Sequence, residues 1–151
     1  MKKITPFFIT LLLLFISQTI TSQSIVINEV VASNSTINQD EDGSYQDWIE
    51  IRNNGATAVN LNNFGLSDDP VLPFKWTFPN ISIGAGQYLL IWCSDKDRAV
   101  AGSPLHTNYK LSSAGETITI TNDAGVTLNT VTTPAMLQNI SYGRIPNGTG
   151  S

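Results

Sequence analysis

After Gln23 the hydrophobic residues of this chain come in short runs separated by Asn, Gly, Asp and Pro, and no helical period is sustained over ten residues. Such a pattern predicts strands. Ile25–Val31 opens the series, with Ile25, Ile27, Glu29 and Val31 on one face and Val26, Asn28 and Val30 on the other. Ser33–Gln46 is polar and holds Asp40-Glu41-Asp42-Gly43, a loop. Strands are then expected at Trp48–Arg52, Val59–Leu61, Phe64–Leu66, Lys75–Phe78 and Ile81–Ile83, with Asn53-Asn54-Gly55, Asp68-Asp69-Pro70 and Pro79-Asn80 as breaks. Tyr88–Cys93 is the longest apolar run after Gln23, and its six residues suit a strand buried on both faces. Glu116–Thr121 alternates strictly, placing Ile118 and Ile120 inward and Thr117, Thr119 and Thr121 outward. Asn122-Asp123-Ala124-Gly125 turns it into Val126–Val131, a hairpin, and Ile140–Tyr142 is the last candidate.

Seven to nine short strands with turn signals roughly every 8–12 residues point to an antiparallel β-sandwich of immunoglobulin-like kind, with a small closed barrel as the alternative. One cysteine, Cys93, rules out a disulfide within the chain, and one histidine, His106, rules out a zinc site built from Cys and His. The sandwich is therefore expected to be disulfide-free and held by its core.

The N-terminus reads differently. Lys2 and Lys3 precede an apolar run, Ile4–Ile16, and a polar, small-residue segment, Ser17–Ser24. These are the three regions of a secretory signal peptide, too short for a comfortable bilayer span. Residues 1–22 are thus expected to be removed on export, leaving 23–151 as one domain without a membrane span. That domain carries 6 Lys and Arg against 12 Asp and Glu. An acidic surface of this kind excludes nucleic acid as a partner, since phosphate binding needs a basic footprint.

Several motifs together resemble one family. They are Ile27-Asn28-Glu29-Val30, Asp40-Glu41-Asp42-Gly43 running into Asp47-Trp48-Ile49-Glu50-Ile51, Asn60-Leu61, and Leu66-Ser67-Asp68-Asp69. Lys75-Trp76-Thr77-Phe78-Pro79, Gly86-Gln87-Tyr88-Leu89, Leu105-His106-Thr107-Asn108-Tyr109-Lys110-Leu111-Ser112 and Ser141-Tyr142-Gly143-Arg144 follow. Their order and spacing, over about residues 25–150, resemble the lamin-tail domain in the form found in secreted bacterial proteins. The resemblance implies an immunoglobulin-like sandwich with no catalytic residues, an interaction module in nuclear lamins and an accessory domain in exported bacterial proteins. The family normally continues past Tyr-Gly-Arg with a final strand bearing Trp or Phe, whereas this sequence ends at Asn147-Gly148-Thr149-Gly150-Ser151. The expectation is a domain truncated at its C-terminus, with an edge left open to pairing.

Among residues that could carry chemistry, the acidic loop comes first. With Gly43 at position 6 of an EF-hand loop, Asn38, Asp40 and Asp42 fall at positions 1, 3 and 5, but position 12 is Ile49 and Glu50 is one residue late. An EF-hand is rejected. Calcium held by Asp40, Asp42 and Asp47 in an irregular loop is the candidate metal site, against a solvated acidic loop, which the broken spacing favours. Glu29 and Glu50 have the residue types of a glycosidase pair, for which carboxyls stand roughly 5–10 Å apart. The plainer reading is that Glu29 is a partly buried carboxylate satisfied by backbone donors, Arg52 or Arg144. Cys93 and His106 would be the sole thiol dyad, but Cys93 reads as a small buried hydrophobe and His106 as a loop residue bonded to backbone. No Gly-x-Ser-x-Gly elbow occurs. Trp48, Trp76, Trp92, Tyr45 and Tyr109 are candidates for a sugar platform; Trp92 reads as core, and Tyr45 and Tyr109 as surface.

The sequence therefore describes a non-catalytic extracellular interaction or structural module needing no cofactor, with a protein or a cell-surface glycan as partner. The alternatives are a calcium- or glycan-binding accessory module and the N-terminal accessory domain of a larger extracellular hydrolase.

Overall fold

A computed structural model describes residues 24–150. The assignment of residues 1–22 to a signal peptide falls outside these. The described residues form the strands β1 (Ile25–Val31), β2 (Asp47–Asn53), β3 (Val59–Asn60), β4 (Gly65–Ser67), β5 (Trp76–Thr77), β6 (Ser82–Ile83), β7 (Tyr88–Cys93), β8 (Leu105–His106), β9 (Thr117–Thr121), β10 (Thr127–Thr132) and β11 (Tyr142–Gly143). One sheet has the order β11-β1-β2-β7-β8, the other β10-β9-β4-β5, and β3 and β6 make a two-stranded ribbon. Pairing is antiparallel except between β7 and β8. The result is an immunoglobulin-like all-β sandwich without a disulfide, in which the thiol of Cys93 is free and buried.

Each sheet supplies alternate residues to one core: Ile49 and Ile51 from β2, Ile91 and Cys93 from β7, Leu66 from β4, and Ile118 and Ile120 from β9. Trp76 and Phe78 close it with their rings edge to face, centroids 5.0 Å apart. Strand β1 breaks the simple alternation. Its register against β2 shifts between Ile27 and Glu29, so one extra residue, Asn28, enters the strand. Ile25, Ile27 and Val30 consequently share the sandwich core, while Val31 turns to the other side. The expected grouping of Glu29 with Ile25 and Ile27 is thus wrong beyond the bulge, because a one-residue slip exchanges the faces.

Two further expectations change. Tyr88–Cys93 is a strand, but Tyr88 and the residues after it are exposed or half-buried, and full burial begins at Ile91. Thr119 and Thr121, expected outward, are buried as well. The short strand β8 was not expected; two residues leave no period to detect.

Gly65 marks the tightest approach in the second sheet. A Cβ there would lie 2.1 Å from the carbonyl oxygen of Pro73 and 2.9 Å from Cδ1 of Phe74. Because the first obstacle is backbone, Gly65→Ala should cost about 3 kcal/mol or more, read as a lowered denaturant midpoint with unchanged slope.

Candidate functional site

The acidic loop is a closed turn. Gly43, at φ +76°, lets the chain double back, and the backbone N–H of Gly43 donates to the carbonyl of Asp40 at 3.0 Å. The Asp40 carboxylate lies inside the turn, where Oδ1 accepts the N–H groups of Asp42 and Ser44 at 3.0 and 2.9 Å. This is the Asx-type bonding that suits Asp to turns.

The turn faces the segment that follows β7. Asp95 and Asp97 there adopt positive φ of 64° and 50°, and the N–H groups of Asp95, Asp97 and Arg98 donate to the carbonyls of Tyr109, Thr107 and His106. This path presents Lys96 and Arg98 to the loop. Lys96 Nζ pairs with Asp40 and, at 2.7 Å, with Asp42. Arg98 contacts Glu41 at 2.7 Å and Asp42 at 2.8 Å.

Beneath these pairs lies His106, fully buried. Its Nδ1 is 2.8 Å from the hydroxyl of Ser94 and its Nε2 is 2.9 Å from Glu41 Oε1. A proton on Nε2 satisfies the whole row: Ser94 donates to Nδ1, and Nε2–H donates to Glu41. Serine, histidine and glutamate are the residue types of a hydrolase triad, but Ser94 is buried and its Oγ also accepts the N–H of Lys96 at 3.4 Å. The row fastens the loop to the sheet.

Electrostatics follow from this packing. Burial pushes the Asp40 carboxyl up, but hydrogen bonds from Lys96, Ser44 and Asp42 together with the Lys96 charge outweigh it, leaving the group below its ordinary value. Glu41 is likewise pushed up by burial and brought below its ordinary value by its own backbone N–H, His106 and Arg98. Arg98 and Lys96 hold Asp42 down to about 2.

Asp47 stands apart. Its Oδ1 accepts the N–H of Asn34 at 2.9 Å, and burial raises its pKa. Asp40 and Asp42 therefore meet on Lys96 while Asp47 has a separate partner. Among the described residues no group of three His, Cys, Asp or Glu side chains is placed to hold a metal ion.

The other candidates fall as follows. His106 is a strand residue bonded to side chains, not a loop residue bonded through its ring to backbone, because Glu41 arrives from 65 positions away. With both ring nitrogens engaged by Ser94 and Glu41, it forms no dyad with Cys93, whose pKa burial raises. Glu29 and Glu50 lie opposite each other on β1 and β2, and Glu50 accepts from the Asn28 amide at 2.8 Å. The arginines expected at Glu29 are elsewhere. Arg52 donates to Asn54 and to the carbonyl of Asn147, and Arg144 to the carbonyls of Ile27 and Gly150. Tyr45 is exposed as expected, but Tyr109 is buried, with the ammonium of Lys75 5.0 Å from its ring centroid. Trp76 is core, whereas Trp92 is buried with Trp48 and Val31 in a separate cluster. Lys96, Arg98 and Ser94 were not singled out from sequence; the alternating charges of Asp95-Lys96-Asp97-Arg98 are the signal that points to them.

An immunoglobulin-like sandwich whose charged side chains brace a surface loop is a domain of the modular all-β class. The chain belongs to the Lamin Tail Domain family, whose model matches residues 18–135. No curated protein matches the chain.

Because Asp40, Glu41 and Asp42 ionise at lower pH folded than unfolded, they stabilise the fold above the ordinary carboxylate range, and that contribution disappears as pH falls from about 4 towards about 2. Amide exchange at Asp40–Ser44 should accelerate over this range before the core strands lose protection. Lys96→Met leaves the buried Asp40 without its cation and should cost about 1–3 kcal/mol at neutral pH, discounted for the partial exposure of Lys96. His106→Ala, which removes the ring that Ser94 and Glu41 share and opens a cavity, should cost about 2–4 kcal/mol by denaturant unfolding.

Proposed function

We propose that this chain is a non-catalytic interaction module of an exported protein, a rigid sandwich that presents an apolar surface to a macromolecular partner. One observation carries the reading. Leu137, Ile140, Tyr142 and Ile145, within nine residues around β11, are 76%, 56%, 39% and 89% exposed. Apolar side chains grouped this way on a soluble domain mark an interaction surface. The groups best suited to chemistry, His106, Ser94 and Glu41, are meanwhile engaged with one another. Export rests on the Lys2-Lys3 and Ile4–Ile16 pattern.

Calcium is not part of the proposal, since the ion would have to displace Lys96 from Asp40 and Asp42 and draw Asp47 from the Asn34 amide. Millimolar calcium after chelation should accordingly shift the melting temperature by less than about 1 °C. A shift of several degrees that is lost in Asp40→Ala would restore the metal site.

The non-catalytic reading is tested with ester, glycoside, peptide and phosphodiester reporter substrates. Turnover should equal background for the chain and for Ser94→Ala, Glu29→Gln and Glu50→Gln alike. Turnover removed by any of these substitutions would make the chain an enzyme. Expression of the full sequence in a bacterial host should yield an exported product beginning near Gln23; a cytoplasmic product retaining Met1 would refute export.

A further inference from the structure

The two sheets approach each other along β1 and β10, and one side chain joins them there. The N–H of Ile27 donates to Asn129 Oδ1 at 3.1 Å, and Arg144 Nε donates to the carbonyl of Ile27 at 2.9 Å. Next to this stitch lies a crevice of about 240 Å³, lined by Ile27 and Val30 of β1, Thr130 to Thr132 of β10, and Tyr142 of β11.

Among the described residues strand β10 is the edge of its sheet and pairs with β9 alone. The N–H of Thr133 donates to the carbonyl of Glu116 at 2.9 Å, so the alternation of an antiparallel ladder turns the backbone of Thr130 and Thr132 away from β9. Both residues are exposed and border the crevice. The strand reads Thr-Leu-Asn-Thr-Val-Thr, with β-branched residues, no charge and no proline. Natural edges are usually blunted by one of those devices. A bulge between Thr127 and Asn129 interrupts the start of the strand, and the stretch from Thr130 to Thr132 is left able to pair.

We propose that the crevice between β10 and β11 is a strand-docking site, occupied by an extended segment of a partner protein that pairs with the free edge of β10. The inference rests on the interaction-module reading and supplies the partner's chemistry. An unpaired ladder of N–H and C=O groups is matched best by another extended backbone, and successive side chains of such a segment point to opposite sides. Those facing inward meet Tyr142 and the half-buried Val131, and so are apolar. Charge selects the rest. The described residues carry 6 Lys and Arg against 12 Asp and Glu, and Glu29, lining a second cleft of about 300 Å³ that shares Tyr142, has no ion-pair partner among the described residues, whereas Arg144, which lines both clefts, is engaged by the carbonyls of Ile27 and Gly150. The partner strand therefore carries lysine or arginine at the end that passes Glu29. A second copy of this chain fits poorly, because β10 against β10 would bring two acidic sandwiches together with no basic complement.

The test uses a synthetic peptide of about nine residues, alternating valine and threonine with a lysine at each end. Amide exchange at Thr130 and Thr132 should be fast in the free chain and about tenfold slower or more with the peptide. Glutamate in place of lysine should weaken binding. Thr130→Pro removes only an outward N–H, which an edge strand tolerates, and should abolish binding with the fold intact. A peptide N-methylated at alternate residues should likewise fail against the unaltered chain. Unchanged exchange at millimolar peptide overturns the proposal, as does protection that rises with protein concentration alone, which would mean self-pairing. Binding that is mapped elsewhere and is indifferent to Thr130→Pro overturns the docking site while leaving the module reading standing.

Discussion

The bulge at Asn28 is the constraint on which much of the structure depends. Ile27 is the last residue of β1 in register before the bulge, and its N–H and C=O, turned away from β2 by the alternation of the ladder, must be satisfied within a buried sandwich. They are met from outside the strand's own sheet, by Asn129 on β10 and Arg144 beyond β11. Asn28 itself is buried, accepting the N–H of Gly148 at 2.7 Å and donating to Glu50. A local irregularity thus ties together the first strand, the far sheet and the last described segment. It also sets the phase that brings Val30 into the core and turns Glu29 out of it.

Strand positions were largely legible in the sequence, because turns announced by Asn-Gly, Asp-Pro and Pro-Asn are local events. Ile118 and Ile120 were placed correctly by alternation alone. What alternation cannot contain is an insertion into the pairing. Nothing in Ile25–Val31 distinguishes a bulged strand from a regular one, and the side chains that bond to Ile27 beside the bulge, Asn129 and Arg144, lie more than a hundred positions away. The burial of Tyr109 was hidden for a related reason. Its neighbours in sequence are polar, and its packing partners come from other strands.

The charged loop shows the same division. Asp40 and Asp42 were visible as a cluster, and that composition suggested an external cation. The cations are the chain's own. Lys96 is 56 positions from Asp40, and only the parallel arrival of β8 beside β7 sets His106 beneath the loop. Family membership, by contrast, was carried by ordered motifs spread over the domain, many of them turns and core positions. They specify a scaffold and not its exposed residues, such as Tyr142 and Thr130.

Cys93 gives the molecule a property of a different kind. Its thiol is the sole one in the sequence, it is 1% exposed, and its pKa is raised by burial. Thiolate, not thiol, attacks disulfides and alkylating agents. While the sandwich is closed, the sulfur is screened from oxidants and from other chains, and no second cysteine can trap it. Once the sheets part, it becomes an unpaired and reactive group. Oxidation at this position is therefore a memory of past unfolding, written covalently into molecules that have opened and absent from those that never did.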